Sequence, residues 1–173
     1  MNYSERKSYK VKYQNWLPTI EWSHFVTVES CPSNPWKIDE IEQRMRQIEF
    51  NLNKKYLKSS FPKWKSENKF LMIGFKEGNG VIHQIHYHFL LHTPASVYQQ
   101  IDNSDIRDDL LNEWMSMPSV NPRTGKCRDL MIKDKPTLDV RIVDDNTGAS
   151  IYGSKWIDTL DGYDNFFFVT PSP

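Results

Sequence analysis

Two strand-like runs lie back to back near the middle of this chain, and they limit its fold more than any other feature. Lys69-Phe-Leu-Met-Ile-Gly-Phe75 and Val81-Ile-His-Gln-Ile-His-Tyr-His-Phe-Leu-Leu-His92 are rich in β-branched and aromatic residues, with the turn residues Glu77-Gly-Asn-Gly80 between them. They predict an antiparallel hairpin. An earlier run, His24-Phe-Val-Thr-Val-Glu29, alternates as a strand and stops at Cys-Pro-Ser-Asn-Pro. Ile38, Ile41, Met45, Ile48, Leu52 and Tyr56 then recur at helical spacing, with Asn34 placed to cap and Pro35 at the first helical position.

After the hairpin, Ser96 to Met117 reads as a second helix, with Leu110, Leu111, Trp114 and Met117 on its apolar side and Pro118 as its stop; Pro118 to Gly125 reads as a loop. Thr137 to Val143 alternates as a strand, Asp145-Asn146-Thr147 offers a cap for a short helix over Ala149 to Leu160, and Phe166-Phe-Phe-Val169 closes as a fifth strand. Met1 to about Thr19 is polar, basic and aromatic without clear periodicity, and is read as an N-terminal arm or edge addition. The order βαββαβαβ predicts an α+β fold: a central five-stranded antiparallel sheet of ferredoxin-like or RRM-like type with helices packed on its faces. With 173 residues and 38% hydrophobic content, residues 1–173 have enough material for one core and one domain.

Charge narrows the partners. Lysine and arginine number 22, as do aspartate and glutamate, so no global field favours a polyanion and any nucleic-acid contact must come from a local patch. One such patch is Lys54, Lys55, Lys58, Lys63, Trp64 and Lys65, where cations interleave with aromatic rings able to stack on bases. A lysine-rich helix end followed by a solvated loop accounts for the same residues. Cys31 and Cys127 match neither a disulfide framework nor a zinc spacing, and no apolar run approaches a membrane span, which predicts a soluble, cytoplasmic protein in a reducing interior with no membrane partner.

Four of the five histidines fall in the second hairpin strand. Side chains alternate across a strand, so His86, His88 and His92 share one face, while His83 has the opposite parity. Two imidazoles two residues apart stand roughly 6–7 Å apart at the backbone, a spacing that suits one cation. Hydrogen-bonded sheet histidines are the plainer reading. Farther on, Tyr152 and Lys155 lie three apart on a predicted helix, hence on one face, as a nucleophile and its electrostatic helper would. A tyrosine packed on a sheet beside a solvated lysine gives the same pattern.

Taken together these blocks resemble the replication-initiator branch of the HUH endonucleases, single-strand nickases named for a His-hydrophobic-His motif. Phe25-Val-Thr-Val28 looks like the family's first strand motif, His86-Tyr87-His88 like its metal motif, and Leu138 to Trp156 like the strand and helix presenting its nucleophile, in the order typical of that branch. The resemblance spans about Phe25 to Trp156. It implies site-specific nicking and joining of single-stranded DNA at an origin hairpin or nick site, initiating rolling-circle replication of a plasmid, phage or virus. Tyr152 would be the nucleophile and Lys155 its helper, with a divalent Mn²⁺ or Mg²⁺ ion on His86 and His88.

The family often takes a third ligand from the strand before the histidines, where Glu77 is the nearest candidate, followed by His83. If Asn79-Gly80 forms a two-residue turn, Glu77 pairs with Ile82, four positions and roughly 13 Å from His86, so a Glu77 ligand requires a wider loop. No Gly-x-x-x-x-Gly-Lys-Ser/Thr motif is present, so either a host helicase, along with a polymerase, acts as partner, or the sequence is the nuclease part of a longer protein. A single-tyrosine transposase of the same superfamily and a non-catalytic nucleic-acid-binding plait are the alternatives.

Overall fold

A computed structural model of the chain describes residues 3–30, 36–58, 68–78, 85–118, 130–155 and 166–169. Four antiparallel strands carry the sheet: β1 (His24–Glu29), β2 (Leu71–Glu77), β3 (His86–His92) and β6 (Leu138–Ile142), in the order β6-β1-β3-β2. Where the sequence predicts five comparable strands, the last, β7 (Phe166–Phe168), is a three-residue ladder on the outer edge of β2. Two short strands, β4 (Met131–Ile132) and β5 (Lys135–Pro136), form a separate small hairpin ahead of β6. The class is α+β, as expected.

Two helices cover one face of the sheet. α2 (Ile38–Leu57) buries Ile41, Met45, Ile48 and Leu52, a stripe at helical spacing, and α4 (Asn103–Ser116) buries Ile106, Leu110 and Trp114. They lie over Val26, Val28, Met72, Tyr87, Phe89, Leu91, Leu138 and Val140, residues of matching parity in the strands. The predicted helix over Ser96 to Met117 is in fact two, the single turn α3 (Ala95–Tyr98) and then α4. The break comes where the Asp102 carboxylate accepts from the backbone N–H groups of Ser104 and Asp105 and so starts a new helix. Gly74 lies where Phe89 and Phe167 meet edge to face, centroids 5.6 Å apart, and a Cβ there would run into both rings.

The opposite face is covered differently. The N-terminal segment, read as an arm, is a helix, α1 (Tyr3–Trp16), followed by a 3-10 turn at Leu17–Thr19. It packs with α5 (Asn146–Ser154), and Leu17, Trp22, Ile73, Phe75 and Leu90 form a second, smaller core there with Tyr13, Phe25 and Ala149. Asp145 caps α5 as expected, its carboxylate accepting from Gly148 N–H. No helix among the described residues is long and apolar enough to cross a membrane.

Glu49, on the buried side of α2, is an exception in the larger core. Burial pushes its carboxyl up to about 8, against the nearby charges of Lys69 and Arg46, and its Oε2 has no hydrogen-bond partner. A carboxyl whose folded pKa exceeds its unfolded value keeps a proton that the unfolded chain has released. The Glu49 contribution to stability is therefore full at acid pH and falls as pH rises between about 4.5 and 8, with a slope of at most about 1.4 kcal/mol per pH unit. Glu49→Met is expected to flatten that slope and raise stability at pH 8 by about 1–3 kcal/mol in urea titrations. An unchanged slope would mean that Glu49 is ionised in the fold.

Candidate active site

Hairpin register decides which side chains meet. Glu77 pairs with His86 and Phe75 with His88, so Glu77 is opposite His86 and not opposite Ile82, where a two-residue turn would put it. Cross-strand partners share a face, which puts Glu77, His86 and His88 together at one end of the sheet. The two imidazole centroids are 6.3 Å apart. Glu77 Oε2 lies 2.8 Å from His88 Nε2, and its other oxygen lies 2.8 Å from Lys155 Nζ.

Protonation follows from these partners. Burial lowers the His88 pKa despite the opposing hydrogen bond and charge of Glu77, so the ring is neutral near pH 7. A carboxylate can only accept, so Nε2–H donates to Glu77. Nδ1, 3.1 Å from the Thr27 hydroxyl, then accepts from it. For Glu77, burial works to raise the pKa, but the hydrogen bonds from Lys155 and His88 outweigh it and hold the carboxyl below its ordinary value. Lys155 is raised: burial opposes its charge, while hydrogen bonds to Glu77 and Tyr152 more than compensate.

Tyr152 reaches this network from α5. The helix buries Ser150, Gly153 and Ser154 against the sheet, a run of small side chains that lets it approach closely; a Cβ on Gly153 would stand 2.9 Å from the Phe75 ring. Tyr152 is thereby held at the border, 46% exposed, with its ring edge-on to His88 at 5.4 Å and to Phe25 at 5.6 Å. The Lys155 ammonium sits 3.8 Å from the ring centroid. Beside them opens a cleft of about 600 Å³, lined by Tyr152, His86 and His88 and by Glu29, Asp139, Asp144 and Asp145 against the one guanidinium of Arg141.

Two imidazoles and a carboxylate on one face are donor types that fit a divalent ion such as Mn²⁺ or Mg²⁺. Among the described residues no three His, Cys, Asp or Glu side chains already converge as a ligand set, and the Glu77 carboxylate is engaged by His88 and Lys155. The other described histidines are tied elsewhere. His92 Nδ1 is 2.8 Å from the Glu21 carbonyl, and buried His24 joins Ser23 to the Asn103 carbonyl on α4. His83 lies outside the described residues, as do Lys63, Trp64, Lys65 and Trp156.

Lys54, Lys55 and Lys58 are at the far end of α2, which covers the opposite face of the sheet from Tyr152, and Lys55 is paired with Asp109 at 2.6 Å. The described lysines of the expected patch and the histidine site are therefore on different sides. Three contributors were not read from the sequence: Thr27 as partner of His88, Glu29 opposite His86 on β1, and Gly153 as the close approach of α5. Strand parity places Thr27 and Glu29 on one face, but only the β1–β3 register makes it the histidine face. None of the family models, curated proteins or solved structures compared with the chain matches it.

Proposed function

We propose that this chain nicks and rejoins single-stranded DNA as a rolling-circle replication initiator of HUH type, with Tyr152 as nucleophile. The observation that carries the reading is the meeting of three distant segments at one sheet end: Glu77, the His86/His88 pair, and Tyr152 with Lys155. The βαββαβ order with strands β6-β1-β3-β2, and α2 and α4 on one face, supports a ferredoxin-like plait whose other face carries α1, α5 and the candidate site.

In the reaction, Tyr152 Oη attacks the scissile phosphorus and gives up its proton as the new phosphotyrosyl bond forms. The bond to the 3′ oxygen breaks, and that oxygen leaves as a 3′-hydroxyl after taking a proton. The 5′ end stays on Tyr152, so reversal rejoins the strand without ATP. Lys155 stabilises the negative charge developing on the phenol oxygen and phosphate. His86, His88 and Glu77 would hold a divalent ion, which when bound polarises the scissile phosphate. Thr27 orients the His88 ring.

The test is incubation with a randomised single-stranded DNA library and Mn²⁺, followed by denaturing electrophoresis. A covalent adduct enriched in particular sequences is expected; binding across the pool with no adduct would replace the nickase by a binding plait. Gly153→Ala probes the seating of α5. Its methyl group would press on Phe75, costing about 1–3 kcal/mol of stability, and displacing Tyr152 is expected to slow adduct formation at least about tenfold in a folded protein. An unchanged adduct rate in that variant would show that the close approach does not position Tyr152.

A further inference from the structure

We infer that α1 is the surface that holds the sugar–phosphate backbone of the single strand leading to Tyr152, an inference that rests on the nicking reading of the site. The sign of the cleft is the first reason. Four carboxylates against one guanidinium line it beside Tyr152 and the histidines, and Arg141 is itself paired with Asp139 at 2.8 Å, so this wall repels phosphates. Cations that retain a DNA strand must come from outside the cleft. The lysines of α2 lie on the far face of the sheet.

α1 is on the correct face and touches the nucleophile helix. Lys10 Nζ donates to the Lys155 carbonyl at 3.0 Å, joining α1 to the C-terminal end of α5. Lys7 and Lys12 are exposed, with Glu5 the one acid in the helix. Tyr9 and Trp16 are each 37% exposed, and with Lys12 they form a stripe at i, i+3 and i+7, the Lys12 ammonium lying 5.3 Å from the Tyr9 ring. Two rings about 10 Å apart along the axis, with Lys12 between them, match base stacking plus phosphate contact in a single strand. A membrane surface fits less well, because Tyr13 of α1 and Leu17 just beyond it are already packed against the sheet.

The experiment measures anisotropy of a labelled oligothymidylate over a salt series, with circular dichroism checking the fold. Lys12→Gln is expected to weaken binding about threefold and to reduce the slope of log Kd against log salt by about 0.7, for the one phosphate no longer neutralised. Tyr9→Ala/Trp16→Ala is expected to weaken binding at least about tenfold with the slope unchanged. Lys54→Gln/Lys58→Gln should leave affinity within twofold. Unchanged affinity in both α1 variants would overturn the assignment, as would a loss confined to anionic vesicles. The two readings fail separately: an adduct with α1 variants binding normally removes only this surface, whereas α1-dependent binding without any adduct removes only the nicking chemistry.

Discussion

Tyr152→Phe is expected to abolish the covalent protein–DNA adduct while leaving the fold and single-strand affinity in place. The substitution removes one oxygen. The ring that meets Phe25 and His88 edge-on remains, as does the surface beneath the Lys155 ammonium. Because the side chain is half exposed, the stability change should stay within about 0.5 kcal/mol. Adduct formation, in contrast, has no route without the phenol oxygen and should fall by more than about 10³-fold. Quantifying the adduct by denaturing electrophoresis and the Kd by anisotropy separates the two effects. An adduct that persists in the variant would assign the nucleophile to another residue and remove the premise of the site.

Glu77→Gln is the second large effect, and it tests the link between the histidines and the nucleophile helix. The amide has nearly the shape of the carboxylate, and its oxygen can still accept from His88. Its lost charge matters twice: Lys155 forfeits its ion pair, and the donor set of His86, His88 and Glu77 loses its anion. The Mn²⁺ concentration giving half-maximal adduct is expected to rise at least about 10²-fold, since even residues that merely orient metal ligands are worth 10–100-fold in affinity. Lys155→Gln, which breaks only the ion pair, should slow the reaction without that change in metal requirement. If both variants kept the wild-type Mn²⁺ dependence, Glu77 would be a partner of Lys155 and His88 and not a metal ligand.

Legibility in the sequence divides along physical lines. Strand parity placed His86 and His88 on one face without any tertiary information, and period-2 and period-3.6 patterns located β1, β3, β6 and α2 closely. The status of Glu77 turned on the length of one connection. Glu77-Gly-Asn-Gly80 has the composition of a tight turn, but β2 continues to Glu77 and Glu77 pairs with His86. α1 escaped notice because its inward side is little more than Tyr13, too weak an apolar stripe to set a period. The lysines of α2 were recognisable as a basic patch, yet composition says nothing about which side of a sheet a helix covers. Nothing in Tyr-Gly-Ser-Lys marks Gly153, whose role depends on the Phe75 ring beneath it.

The pairing of β6 with β1 has a consequence for how the protein comes into being. His24 is matched with Ile142, so the last of the four main strands must find the first across most of the chain, and α5 follows only after that. A chain emerging from the ribosome has Thr27, Glu77, His86 and His88 long before it has Tyr152. Such an intermediate carries the donor set but no nucleophile. If Tyr152 is the nucleophile proposed above, synthesis order withholds strand cutting from every product that ends before α5.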